Sequence, residues 1–168
     1  VVVEEARQTI KINFNKTDVD LGSANSDEWY GLDGYYNTAV SDGMAATIDG
    51  ALYQLINTND ITDVITGHTI PAGTTIGLYT VKNGAFTITK MTEGAYNGHP
   101  LPNGNYKLIE IVAPQGYALS TKTITVQAPW ENGTTSAQMT YSRTDADEIL
   151  KQKLTISKID GETSTALE

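Results

Sequence analysis

The chain has 168 residues, a formal net charge of −9, a pI near 4.6 and no cysteine. Such an acidic balance argues against nucleic acid or an anionic membrane as the main partner. The missing cysteine excludes disulfides, thiolate nucleophiles and Cys-ligated zinc. The length suits one domain, or one plus a fragment, that buries its core with no metal or disulfide. No apolar run approaches the ~20 residues of a membrane-spanning helix. No signal peptide is visible, which predicts a cytosolic chain or a trimmed piece of a longer export product.

Strands are predicted, in chain order, at Thr9–Lys16, Ala51–Asn57, Thr75–Val81, Ala85–Met91, Gly104–Val112, Lys122–Ala128 and Ala137–Ser142. In the first, Ile10, Ile12, Phe14 and Lys16 share one face at the two-residue period of a strand. A lysine closing an apolar row marks either a strand end open to water or a site with special chemistry. Residues 19–48 break the rhythm; they are rich in Gly, Asp, Asn, Ser and Tyr without a clean period. Trp29, Tyr30, Tyr35 and Tyr36 predict an ordered excursion there, either a local mini-core or a contact surface for a host protein or glycan. Asp18-x-Asp20-x-Gly22 opens like a calcium loop but lacks the remaining ligands, so no metal or other cofactor is expected.

Turn chemistry punctuates the later strands. Asn83-Gly84 is a strong hairpin signal, and Asn103-Gly104 and Asn132-Gly133 are similar. His68 and His99 lie in turn-like stretches with no catalytic or metal spacing, and are read as surface loop histidines. Many short strands with regular punctuation and no helix predict an all-β sandwich. Near the end, "LTISKID" (Leu154–Asp160) echoes "INFNKTD" (Ile12–Asp18), with Lys158 in the place of Lys16. The echo predicts tandem domains: one over 1–149, then a linker and the first strand of the next over 150–168.

Three stretches carry a family resemblance: "FNKTD", "DGALYQL" (Asp49–Leu55) and "LPNGNYKLIEIVAPQGYAL" (Leu101–Leu119). Together they resemble the Cna protein B-type (CnaB) domain found in pilins and wall-anchored adhesins of Gram-positive bacteria. The resemblance covers Thr9–Asp18 and Ala51 to about Asp147 but not the insertion at 19–48. It implies an Ig-like β-sandwich on an extracellular, cell-wall-anchored protein, with neighbouring domains of the same chain as partners. It further implies an intramolecular isopeptide bond from a first-strand lysine to an Asn or Asp of the last strand, promoted by a glutamate. By motif position Lys16 matches the lysine and Glu110 the glutamate.

The residues agree with these two positions. Tyr106, Leu108 and Glu110 share a face, as Ile12, Phe14 and Lys16 do. A shared apolar pocket favours the uncharged forms of both groups. A neutral amine is a nucleophile, and a neutral acid polarises the acceptor carbonyl and shuttles protons. The acceptor is left open. Met139 and Tyr141 set the inner parity of the last strand, and Arg143, Asp145 and Asp147 continue it. Spacing back from Lys158 favours Asp147, and continuity with the apolar row favours Asp145. Arg143 offers a different outcome, a site in which Lys16 only forms an ion pair with Glu110. The function expected is a structural or adhesive module, not an enzyme acting on an external substrate. The alternative is a ligand-binding adhesin domain that uses 19–48.

Overall fold

The computed structural model describes residues 5–19, 48–148 and 150. Among them the chain forms β1 (Thr9–Asp18), β2 (Leu52–Asn57), β3 (Ile61–Thr62), β4 (Thr69–Ile70), β5 (Thr75–Thr80), β6 (Ala85–Ile88), β7 (Gly104–Val112), β8 (Thr123–Ala128) and β9 (Gln138–Asp147). One 3-10 turn spans Gly94–Tyr96. No described helix is long and apolar enough to cross a membrane.

Two sheets make a sandwich, as the strand pattern predicts. One is three-stranded in the order β6-β1-β9, and the other four-stranded in the order β5-β2-β7-β8. Alternation puts Ile10, Ile12 and Phe14 of β1 against Tyr53 and Leu55 of β2, Tyr106 and Leu108 of β7 and Val126 of β8 in one buried core. Phe14 stacks on Phe86 with centroids 4.5 Å apart and meets the Tyr53 ring at 4.6 Å. This aromatic layer ends the apolar part of the core on β1; the next inward residue is Lys16.

Several boundaries differ from the sequence expectation. The first strand runs on to Asp18 and the last to Asp147. The reason is their parallel pairing, continuous from Thr9 opposite Gln138 to Asp18 opposite Asp147. A ladder sustained by a neighbour carries a strand past the point where its apolar pattern ends. The short strands β3 and β4 have no sequence signature; they pair only with each other. Asn57 ties them down, its side-chain amide donating to the carbonyls of Asn59, Ile70 and Pro71.

The hairpin signals resolve in three ways. Asn83 and Gly84 have φ of 52° and 71°, the left-handed pair of a type I′ turn. Asp49 fixes this turn by accepting from both backbone N–H groups at 2.8 Å. Its arms, however, enter different sheets, so it forms a corner of the sandwich. Asn103-Gly104 is no turn: Gly104 opens β7, and a Cβ there would collide with Ile61 Cγ2. Asn132-Gly133 lies in the loop between β8 and β9, which belong to different sheets.

Candidate functional site: a buried lysine among three carboxyls

Lys16 is fully buried at 0% exposure, and Glu110, Asp145 and Asp147 are buried with it. Parallel pairing places Lys16 opposite Asp145, with Asp147 two residues on and on the same face. Glu110 arrives from the facing sheet at the inward parity of Tyr106 and Leu108. The Lys16 Nζ lies 2.5 Å from Asp147 Oδ1, 2.9 Å from Glu110 Oε1 and 3.3 Å from Asp145 Oδ2. Both expected acceptors are therefore within reach, and Asp147 is the nearer.

Tyr53 is the residue that sequence reasoning missed. It pairs with Glu110 across β2 and β7. Its hydroxyl meets the Lys16 Nζ, and the same hydroxyl donates to Asp145 Oδ2 at 2.8 Å. The nitrogen also sits 5.0 Å from the centre of its ring, within cation–π range. The available signal was the aromatic of "DGALYQL", which shares a face with Leu55 and Asn57. Lys122 also joins the site, its exposed ammonium 3.3 Å from Asp145 Oδ1.

The "APQGYALS" stretch (Ala113–Ser120) closes the pocket. Glu110 Oε2 accepts the Ser120 backbone N–H at 2.7 Å, and Tyr117 donates its hydroxyl to Asp18 at 2.7 Å. The chain leaving β9 pairs with this stretch, Ala118 N–H donating to Glu148 and Leu150 N–H to Gly116, both at 2.9 Å.

One ammonium cannot serve three carboxyls equally. Burial pushes the Asp147 carboxyl up to about 6; contact with Lys16 opposes this, and Glu110 adds to it. Asp145 moves the other way. Burial pushes it up, but the Tyr53 hydroxyl and the Lys16 charge outweigh that and hold it below the usual aspartate range. Burial, reinforced by Asp145 and Glu110, keeps the Tyr53 phenol neutral far beyond its ordinary range. Glu110 Oε1 and Asp147 Oδ2 are buried with no aligned hydrogen-bond donor. A proton on Asp147 would give its Oδ2 a donor of its own, for which the neighbouring Glu110 carboxyl is an acceptor.

Arg143 does not enter the pocket. Its guanidinium donates to the carbonyls of Thr125 and Ser142 at 2.7 and 2.8 Å. Its half-buried strand position lets the long side chain reach outward. His68 is exposed, as expected. His99 is not a plain surface residue: its Nδ1 lies 3.0 Å from the buried carboxylate of Asp63. Trp29, Tyr30, Tyr35 and Tyr36, most of the Asp18–Gly22 stretch and the echo around Lys158 lie outside the described residues. Among the described residues no cluster of His, Cys, Asp and Glu could hold a metal ion.

The two-sheet sandwich, with its first and last strands side by side, is the class of domain. The family model described as "SpaA: Prealbumin-like fold domain" matches residues 45–143, and the chain belongs to that family. The matched span includes Tyr53 and Glu110 but not Lys16, Asp145 or Asp147. Among solved structures, the group B streptococcus pilus 2b backbone protein is similar at 21% identity and TM-score 0.46, covering 85% of this chain and 42% of its own. The Bacillus anthracis TIE protein is similar at 17% identity and TM-score 0.46, covering 85% and 18%. The major pilin subunit of Bacillus cereus, in a substituted form, is similar at 17% identity and TM-score 0.45, covering 83% and 30%. The chain thus spans less than half the length of each. No curated protein matches.

Proposed function

We propose that this chain is a load-bearing module of a Gram-positive cell-surface protein, of the CnaB type, cross-linked internally by an isopeptide bond. Lys16 is the nucleophile, Asp147 the acceptor and Glu110 the promoter. The observation that carries this reading is the fully buried Lys16 Nζ at 2.5 Å from Asp147 and 2.9 Å from Glu110. An ion pair this deep is a poor device for stability alone, since desolvation consumes most of its attraction. As a reactive centre the same arrangement makes sense. The free amine attacks the Cγ of neutral Asp147, Glu110 relays one N–H proton to the departing hydroxyl, the C–O bond breaks, and water leaves. The bond forms once, within the chain, and no external substrate is turned over.

The topology supports a mechanical role. β1 and β9 are parallel neighbours, so tension on the two chain ends shears them lengthwise. With the bond in place, load enters along β1, crosses from Lys16 to Asp147 and leaves. The 130 residues between them, 17–146, are bypassed. At equilibrium, closing so long a loop contributes about 4–5 kcal/mol by chain entropy. In this reading 1–149 is the module and 150–168 leads into a following domain of a wall-anchored surface protein. Intact mass tests the bond: a deficit of one water is expected, and full mass overturns the reading.

A further inference from the structure

We infer that Asp145 is the base that takes the proton from the Lys16 ammonium, which makes the second aspartate of β9 a working member of the cross-linking site and not a spare acceptor. The inference rests on the proposed Lys16–Asp147 bond and goes beyond it. An ammonium has no lone pair, so Lys16 must lose a proton before it can attack, and the pocket must hold that proton. Glu110 and Asp147 lie nearer to the nitrogen, at 2.9 and 2.5 Å, but both have other parts in the step. Glu110 is needed for the second proton, which it relays from the nitrogen to the departing oxygen. Asp147 must also stay neutral to be attacked.

Asp145 is different in its partners. Its Oδ2 accepts from the Tyr53 hydroxyl at 2.8 Å and faces the Lys16 Nζ at 3.3 Å. Its Oδ1 faces the Lys122 ammonium at 3.3 Å. The groups around it are thus Lys16 from β1, Tyr53 from β2, and Ser120 and Lys122 from the segment before β8, with Glu110 and Asp147 meeting it through the shared Lys16 nitrogen. Two cations and a phenol keep Asp145 anionic, while Tyr53 orients its oxygen towards the nitrogen. Lys122 is 61% exposed on its side chain, so a proton received by Asp145 has an exit to solvent. A cleft of about 310 Å³ bounded by Ser120, Lys122 and Asp147 gives the released water the same exit.

The step balances. An N–H proton passes from the Lys16 ammonium to Asp145 Oδ2. The free amine forms the N–C bond at Asp147 Cγ. A second N–H proton passes to Glu110, which protonates the departing hydroxyl, and the C–O bond breaks to give water. Lys16 and Asp147 end as an amide, Glu110 as a carboxylate and Asp145 as an acid that returns its proton to solvent.

The full chain, recovered unfolded in denaturant and refolded by dilution at a series of pH values, tests this through the rate of mass loss. With Asp145 holding the amine's proton, the reactive arrangement carries one proton more than without it. Wild-type rate should therefore be highest below about 6, where Asp147 is neutral, and should fall above that value. Asp145→Asn should still lose water but at least about a hundredfold more slowly, and its rate should rise up to about pH 6 and hold level above it. Wild-type rate in Asp145→Asn overturns the inference. Loss of ammonia in that variant also overturns it, because the introduced amide would then be the acceptor. If Asp145→Asn does not refold, the wild-type profile decides alone; a wild-type rate that rises or stays level above pH 6 contradicts an internal base. Full mass for wild type at every pH is separate, because it defeats the cross-link itself.

Discussion

Asp63 and the three carboxyls around Lys16 are all buried acids, but they are served differently. Asp63 Oδ2 accepts the Thr66 N–H at 2.7 Å and the Thr66 hydroxyl at 2.5 Å, and its Oδ1 faces His99 at 3.0 Å. Burial pushes this carboxyl up, yet Thr66 and His99 outweigh it and the group lies below its ordinary range. Around Lys16, by contrast, Glu110 Oε1, Asp145 Oδ1 and Asp147 Oδ2 have no aligned hydrogen-bond donor. Every oxygen of Asp63 has a partner, which makes it a fixture holding the β3–β4 hairpin to the loop before β7. The Lys16 pocket holds more acid than its donors can satisfy, which is the setting the proposed cross-link uses.

Substitutions should separate the two clusters by size of effect. Lys16→Met removes the nucleophile and leaves three buried acids without their central cation. It should restore full mass and destabilise by more than the ~5 kcal/mol of the closed loop, read from denaturant midpoints. Glu110→Gln keeps Lys16 between two aspartates. It should also restore full mass, with a loss of about 4–5 kcal/mol; an unchanged water deficit would remove Glu110 from its role. Asp63→Ala leaves the Thr66 N–H and His99 without their acceptor and should cost about 1–3 kcal/mol. Its mass deficit should persist, and a chain of full mass would break the comparison.

The smallest effect is a pH dependence. Asp63 is lowered in the folded chain, so its contribution is present above the unfolded aspartate value and lost as pH falls through the folded one. The stability gap between wild type and Asp63→Asn should therefore be full near neutrality and shrink below about pH 4. A gap that widens in acid would mean that Asp63 is neutral in the folded chain.

Much of this architecture is legible in the sequence because period-two alternation is read directly. Ile10, Ile12 and Phe14 on β1, and Tyr106 and Leu108 on β7, announce which way Lys16 and Glu110 point. The inner parity of β9 is legible through Asp147, but the apolar pattern ends at Tyr141, so the strand itself is read only to Ser142. Only its pairing with β1 explains why polar residues continue the ladder. Tyr53 was hidden for a related reason. A tyrosine in an apolar row reads as core, and nothing local says that its hydroxyl reaches a lysine in the facing sheet. The β3–β4 hairpin was invisible because two-residue strands have no period.

The central claim is that Lys16 and Asp147 are covalently joined. Proteolysis of the purified chain followed by mass spectrometry tests it most directly. The account predicts one branched peptide linking the Lys16 segment to the Asp147 segment, lighter by one water than the two together. Recovery of both segments as separate, full-mass peptides would contradict it.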